Sequence, residues 1–398
     1  MEHFFATCPR GLEQVLADEL AALGASEVTP VDGGTAFAGE LTLCYAANLE
    51  SRVASRILWQ VGHARYRTEH DIFEAARALA WPQFFDVRRT IRVNVSAIKS
   101  PVKSLDFVTL RVKDAVCDAF RAKNGNRPDV DTQSPDVRIH AFLTREEATI
   151  YLDTSGEALF KRGWRAAGGE APLRENLAAG ILKLAGWSAP ATLYDPMCGS
   201  GTFLIEAAMM ALDAAPGANR RFGFEKLENF EEKKWRALRD KAVSRRKPVR
   251  ALPIHGADKL GSVIKIAREN LAAAGMENAV QLKQMDILDG SPPEPPGVVV
   301  MNPPYGERIG EGSDLAALYP RLGDALKQRY AGWTAYILSA DMLLPRLIGL
   351  KASRRTPLFN GALECRLFEY RLVAGSMRKS KPLTAEDAED AEANKSKD

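Results

Sequence analysis

Cysteine and histidine are both scarce in this chain, five of each among 398 residues, and neither is clustered. Cys8, Cys44, Cys117, Cys198 and Cys365 form no C-x-x-C pair, which argues against a disulfide framework, a zinc ribbon or an iron–sulfur cluster. The histidines show no metal-ligand spacing, so no metal is expected. No apolar run approaches the ~20 residues that a membrane-spanning helix needs. Met1-Glu2-His3-Phe4-Phe5 lacks the basic flank and long apolar stretch of a signal peptide, and a cytoplasmic location with no membrane partner is expected. Net charge is small as well, +3, too little to establish a nucleic-acid partner by itself.

What is present reads as an ordinary globular protein of two or three domains, 46% apolar and 26% charged. The distribution of charge says more than its sum. Between Arg88 and Arg127 stand ten basic residues (Arg88, Arg89, Arg92, Lys99, Lys103, Arg111, Lys113, Arg121, Lys123, Arg127) against three acids, Asp106, Asp114 and Asp118. A second basic cluster runs from Arg220 to Arg250. Such runs can neutralise phosphates. Arg88, Arg89, Lys99, Lys103 and Arg111 are the first candidates for nucleic-acid contact; solvated helix faces are the bland alternative.

The first ~155 residues read as α+β. Leu12, Val15, Leu16, Leu20 and Leu23 recur at helical spacing before Gly24, and Gly33-Gly34 marks a turn into Thr35–Gly39. Thr90–Ala97 alternates with period two, Leu105–Arg121 is amphipathic, and Val137–Leu143 with Ala148–Leu152 predicts a hairpin. After about residue 165 the pattern changes to strand, glycine loop, helix, strand, which means a parallel sheet with helices on both faces.

Leu193-Tyr194-Asp195-Pro196-Met197-Cys198-Gly199-Ser200-Gly201-Thr202 is the strongest signal: a short apolar strand, a carboxylate, then a glycine turn opening the helix Thr202–Leu212. In an open α/β sheet a nucleotide-like ligand sits at this first loop. Neither G-x-G-x-x-G nor G-K-[ST] is present. An acid ahead of the glycines repels phosphate but suits a zwitterion with a cationic group, such as the amino-acid part of S-adenosylmethionine. Ile254–Asp258 and Val280–Asp286 read as two further strands leading to acids, placed for ribose hydroxyls and an adenine amine. Cys198 reads as a packing residue, with no histidine base nearby in sequence.

Val298–Met301 then runs into Asn302-Pro303-Pro304-Tyr305-Gly306, where two prolines force the chain out of the sheet. The lone pair of an aromatic amine is delocalised into its ring and presents poorly to an electrophile. Two acceptors, the Asn302 side-chain oxygen and the Pro303 carbonyl, can hold the amine hydrogens and turn the lone pair toward a sulfonium methyl. Tyr305 would stack on an extruded base. Methylation at a pyrimidine carbon would want a cysteine here, and none is present.

With these segments the chain resembles the THUMP-domain methyltransferases, and within them the bacterial large-subunit ribosomal RNA guanine-N2 methyltransferases. The resemblance also rests on Leu152-Asp153-Thr154-Ser155-Gly156, on Leu159-Phe160-Lys161-Arg162-Gly163-Trp164-Arg165, on Ala171-Pro172-Leu173-Arg174-Glu175-Asn176-Leu177-Ala178, and on the Gly306-Glu307-Arg308 extension. It implies an α/β class I (Rossmann-like) methyltransferase domain over 161–375, with a seven-stranded sheet whose last strand is antiparallel, ending in the pair Arg355–Phe359 and Glu364–Leu372. Two α+β domains would precede it, ferredoxin-like at 1–55 and an RNA-binding THUMP domain at 56–160, and a disordered charged tail at 376–398 would follow.

The resemblance implies S-adenosylmethionine as cofactor, held by Pro172, Arg174, Asn176, the run Asp195 to Thr202, Asp258, Lys259, Asp286, Ile287 and Asn302. Asn302, Pro303, Pro304 and Tyr305 would be catalytic, and Lys161, Arg162 and Arg165 would join the RNA contacts. Trp164 stands where tyrosine is commoner, a change expected to bear on RNA contact. Some members carry a second methyltransferase at the carboxyl end that this sequence lacks, so its modification is not expected.

The expected activity is methylation of a guanine N2 amine in RNA, 23S ribosomal RNA or a large-subunit assembly intermediate, by a monomer or weak dimer. The alternatives are guanine-N2 methylation of transfer RNA, N6-adenine methylation of DNA, and a non-catalytic assembly factor that binds ribosomal RNA. Deleting residues 1–155 is expected to spare cofactor binding and abolish RNA affinity.

Overall fold

A computed structural model describes residues 1–165, 173–303 and 313–373. Pro172, Pro304, Tyr305, the Gly306-Glu307-Arg308 extension and the expected tail at 376–398 lie outside the described residues.

The amino-terminal part contains β1 (Glu2–Thr7), α1 (Glu13–Ala22), β2 (Ser26–Val31), β3 (Gly34–Gly39), α2 (Leu41–Glu50), β4 (Arg56–Arg65), α3 (Glu69–Arg77), β5 (Ile91–Ala97), α4 (Leu105–Asn124), β6 (Val137–Leu143) and β7 (Glu147–Asp153). Local chemistry sets the helix ends. Thr68 and Asp71 form a reciprocal capping box on α3, while Ser104 Oγ accepts from Phe107 N and Gly125 turns left-handed (φ 75°) to close α4. The predicted hairpin is β6–β7, with strict alternation of buried and half-buried residues along β6.

All seven strands form one sheet in the order β2-β3-β1-β4-β7-β6-β5. β4 pairs antiparallel with β1 through Arg56–Trp59 and with β7 through Leu58–Arg65. A domain boundary between residues 55 and 56 therefore falls at the first residue of a strand that serves both sides.

The remainder contains α5 (Glu175–Leu184), β8 (Leu193–Asp195), α6 (Thr202–Ala211), α7 (Glu232–Arg245), β9 (Ile254–Asp258), α8 (Gly261–Ala273), β10 (Gln281–Gln284), β11 (Val298–Met301), α9 (Ser313–Arg329), β12 (Thr334–Ser339), α10 (Leu344–Leu347), β13 (Arg354–Asn360) and β14 (Leu363–Arg371). Its seven strands lie in the order β10-β9-β8-β11-β12-β14-β13. β10 to β12 run parallel to their neighbours, and β14 is antiparallel to both β12 and β13. The seven-stranded sheet with an antiparallel last strand is as the sequence led us to expect.

The two sheets do not stand apart. One buried apolar cluster runs continuously from Phe4 and Leu12 through Leu177 and Ile205 to Leu358. α5 approaches α1 so closely that a Cβ on Gly180 would lie 2.3 Å from Leu12 Cδ1. Polar ties cross the same junction: Lys183 Nζ reaches Glu19 Oε1 at 2.9 Å, and Asn176 Nδ2 donates to Val53 O (3.1 Å) and Ser55 Oγ (2.9 Å).

Arg162 is the most deeply withdrawn of these ties. Its Nε donates to Glu206 Oε1 on α6 (3.2 Å), Nη1 to Leu159 O (2.7 Å) and Nη2 to Arg52 O (2.6 Å), with both charged side chains at 2% exposure or less. This corrects two expectations. The Arg162 guanidinium is engaged inside the protein rather than available to RNA, and deleting residues 1–155 would strip partners from Arg162, Asn176 and Lys183 as well as exposing core.

Removing one partner of a buried ion pair leaves the other charge desolvated. Glu206→Ala is expected to cost about 3–5 kcal/mol in chemical denaturation, and the double change Arg162→Met/Glu206→Met clearly less. Equal losses would show that the pair is incidental to the junction.

Candidate active site

The parallel strands deliver their carboxyl ends to one edge. Val299 lies opposite Tyr194, Asp195 opposite Gly256, and Gln284 opposite Asp258. Along that edge therefore stand Asp286 just past β10, Asp258 closing β9, Asp195 closing β8 and Asn302 following β11. The chain winds from β8 outward to β10 and then returns to β11 on the other side, so the gap between β8 and β11 is the topological switch point where an open sheet binds its ligand.

The glycine loop is fixed from beneath. Cys198 N donates to Ala257 O (2.8 Å), Gly201 N to Cys198 O (2.8 Å), and Asn270 Nδ2 on α8 to Ser200 O (3.0 Å). Gly199 (φ 53°) and Gly201 (φ 82°) take left-handed conformations, and a Cβ on Gly199 would meet nothing within 4 Å. The loop thus has open space above Gly199. Cys198 is buried, and burial with Asp195 and Asp258 nearby pushes its thiol well up, so it packs rather than reacts.

Asp195 is 2% exposed, and its Oδ1 accepts from Met197 N at 3.1 Å. Burial raises its carboxyl well above the ordinary range; Met197 N–H opposes this and Asp258 adds to it. No cation pairs with it among the described residues. Asp258 accepts from Gly199 N (3.2 Å) and Leu260 N (3.0 Å), one bond per oxygen, leaving a lone pair on each. Asp286 Oδ1 accepts from Leu288 N (2.9 Å), beside the buried Ile287. Lys259 contributes its carbonyl to Gln284 Nε2 and keeps its side chain exposed. Asn302 is half-buried, yet its Oδ1 is withdrawn from solvent with no hydrogen-bond partner among the described residues, and Pro303 is buried.

Several expected roles change. Arg165 faces the glycine loop rather than solvent: Nη1 donates to Ser200 Oγ (3.2 Å), Nη2 to Thr202 Oγ1 (3.0 Å) and Leu173 O (3.1 Å), and Nε to Glu175 Oε1 (2.9 Å). It braces that loop against α5, a role that sequence alone assigned to RNA. Trp164 is 5% exposed and belongs to the core, not to an RNA surface. The Asn176 amide nitrogen is spent on Val53 O and Ser55 Oγ, which anchors α5, while its buried Oδ1 has no hydrogen-bond partner among the described residues. Arg174 is exposed, with its guanidinium over the Phe160 ring at 4.9 Å.

The basic run is also divided. Arg88, held by Asp86 at 2.8 Å, and Arg89 precede β5, whereas Lys99 and Lys103 follow it, about 20 Å away along the strand. Arg111 lies over the Phe73 ring at 4.0 Å, and Lys161 pairs with Glu157 at 2.8 Å. Glu206 and Asn270 were missed. A lone charge inside the apolar helix Thr202–Ala211 was a legible signal for the first; nothing marked the second.

A sheet of this order, with a glycine loop after its first strand, is that of the class I methyltransferases, whose cofactor is S-adenosylmethionine. The described residues fit that molecule: an uncompensated buried carboxylate for its ammonium group, spare lone pairs on Asp258 for its ribose, and free space over Gly199. The chain belongs to the RMKL-like methyltransferase-domain family, whose model matches residues 162–369. Models of the THUMP domain and the RlmL ferredoxin-like domain match 66–153 and 3–58.

The chain is 39% identical over 387 residues to a ribosomal RNA large subunit methyltransferase K/L of Shewanella frigidimarina, covering 96% of this chain but 54% of that protein, about half its length. It is 36% identical over 370 residues to a Synechocystis sp. protein provisionally named an RNA methyltransferase, covering 93% of this chain and 96% of that one. Among solved structures it is similar to SMU.472 complexed with SAH (31% identity, TM-score 0.84, 94% of this chain and 99% of that chain). A predicted N6-adenine-specific DNA methylase from Listeria monocytogenes is similar to the same degree (30% identity, TM-score 0.84, 93% and 96%).

The raised Asp195 carboxyl has a sign that can be tested. Only its ionised form attracts the ammonium of S-adenosylmethionine, and below its raised value it is protonated. Affinity measured by calorimetry is expected to fall as pH drops through that value, with proton release on binding in the same range. Asp195→Asn is expected to weaken binding and flatten the pH dependence; an unchanged profile would remove Asp195 from the ammonium site.

Proposed function

We propose that this protein transfers the methyl group of S-adenosylmethionine to the exocyclic N2 amine of a guanine in large-subunit (23S) ribosomal RNA. The observation that carries the amine assignment is the desolvated, partnerless Oδ1 of Asn302 beside the cofactor edge. A buried acceptor left unpaired costs about 1–3 kcal/mol, and an amine N–H entering the site would supply its partner.

In this reading the Asn302 oxygen and the Pro303 carbonyl each accept one amine hydrogen. They hold the nitrogen so that its lone pair faces the cofactor, and they stabilise positive charge as it develops there. The cofactor supplies an electrophilic methyl on a sulfonium. Asp195 holds its ammonium end, Asp258 its ribose and Asp286 the adenine amine. Tyr305, on the sequence reading alone, stacks on the base, with Pro304 beside it in the same motif. The methylated ammonium product is acidic enough to lose its proton to water, so no strong base is required.

The names of the relatives support ribosomal RNA, and the THUMP match supports an RNA partner. A second reading, N6-adenine methylation of DNA, is favoured by the name of the similar Listeria structure, since the same two acceptors suit an adenine amine.

Nucleoside mass spectrometry of large-subunit RNA, transfer RNA and DNA, with and without the gene, separates these readings. The expected outcome is loss of N2-methylguanosine from large-subunit RNA alone. Loss of N6-methyladenine from DNA would replace the RNA reading with the second one. In vitro, Asn302→Ala is expected to slow transfer by about 10²–10³-fold while leaving S-adenosylmethionine affinity nearly unchanged. Undiminished turnover would remove that side chain from the chemistry.

A further inference from the structure

A cleft of about 600 Å³ opens beside the glycine loop, walled by the linker after the first sheet, the start of α5 and the β13–β14 turn. Phe160, Lys161 and Arg165 line it on one side, Arg174 and Glu175 on another, and Asn360 closes it. Its volume is that of a nucleotide-sized site. Its position follows from register. Ser339 at the end of β12 lies opposite Arg366, and Asn360 lies opposite Leu363, so the β13–β14 turn projects on the same edge as Asp195 and Asn302.

Arg165 and Glu175 form the shared wall, since Arg165 lines the cleft while its Nη1 and Nη2 reach Ser200 and Thr202. The cleft is therefore next to the cofactor loop and separate from it.

Two of its cations are spent, Arg162 on Glu206 and Arg165 on Glu175. Arg174 ion-pairs with no carboxylate among the described residues, and its guanidinium carbon lies 4.9 Å from the centre of the Phe160 ring. Lys161 keeps its ammonium at the surface, 64% exposed, in an i,i+4 pair with Glu157 that solvent weakens. A guanidinium over an aromatic ring, with two available positive charges, is the chemistry that takes a base and its adjoining phosphodiester.

We propose that this cleft binds a nucleotide of single-stranded RNA flanking the methylated base, with Phe160 and Arg174 against the base and Arg174 and Lys161 on the phosphate. This rests on the RNA reading above and assigns Arg174 to substrate instead of cofactor.

The test uses the full chain, a fluorescein-labelled single-stranded RNA dodecamer in anisotropy titrations over a salt series, and calorimetry with S-adenosylmethionine. Lys161→Ala/Arg174→Ala is expected to weaken RNA binding about tenfold and to reduce the slope of log affinity against log salt by about 0.7, the value for one single-strand phosphate no longer neutralised. Phe160→Leu, which keeps apolar bulk, is expected to weaken RNA binding with the salt slope intact. S-adenosylmethionine affinity should be unchanged in all of them. RNA affinity and slope equal to wild type in these variants would overturn the proposal, as would loss of S-adenosylmethionine affinity with RNA binding retained. If the unaltered protein shows no salt-dependent RNA binding, the RNA reading itself fails and the cleft assignment with it.

Discussion

The guanidinium of Arg162 is held out of water between the two sheets, and the arrangement of everything around the site follows from how its charge is satisfied. One carboxylate, Glu206, comes from the helix that the glycine loop opens; two carbonyls, Leu159 and Arg52, come from the linker and the amino-terminal module. A charge in that position cannot tolerate a lost partner, so helix, linker and module must approach together. Arg165, three residues on, then reaches the loop itself through Ser200 and Thr202. The segment Leu159–Arg165 is thereby less a connector than a frame, with one arginine locking the modules and the next bracing the cofactor loop.

The site at the strand ends carries two unfavourable features side by side. Among the described residues Asp195 is a buried acid without a cation, and Asn302 offers a buried oxygen without a donor. Each opposes folding, and in the proposed function each would be relieved by a different ligand group, an ammonium for the first and an amine N–H for the second. This division matches a two-substrate reaction, in which the groups that fix the methyl donor and the groups that fix its acceptor occupy adjacent strands, β8 and β11.

Much of this was legible in the chain. The three strands leading to acids, the glycine loop and the proline exit after Met301 depend on local pattern, and each lies where that pattern put it. Charged residues were harder to read. Arg162, Arg165 and Asn176 sit in a motif of ordinary polar appearance, and only the arrival of Arg52, Glu206, Val53 and Ser200 from distant positions decides that they face inward. The basic run from Arg88 onward was misleading for a related reason. Sequence density does not become surface density when a strand such as β5 separates its two ends. The continuity of the first sheet was equally hidden, because pairing between β4 and β1 links residues about fifty apart.

That shared strand restricts how the amino-terminal module can vary. Within β4, β1 pairs with Arg56–Trp59 alone, whereas β7 pairs onward to Arg65 and meets an irregularity between Gln60 and Gly62. A one-residue insertion before Trp59 would rotate every following side chain to the other face and break register with both neighbours at once. After Gln60 the same insertion disturbs β7 alone, and the bulge shows the strand already accommodating an extra residue there. Length change in β4 is thus tolerable only in its second half, and the first four residues act as a fixed datum from which the positions of both neighbouring strands are counted.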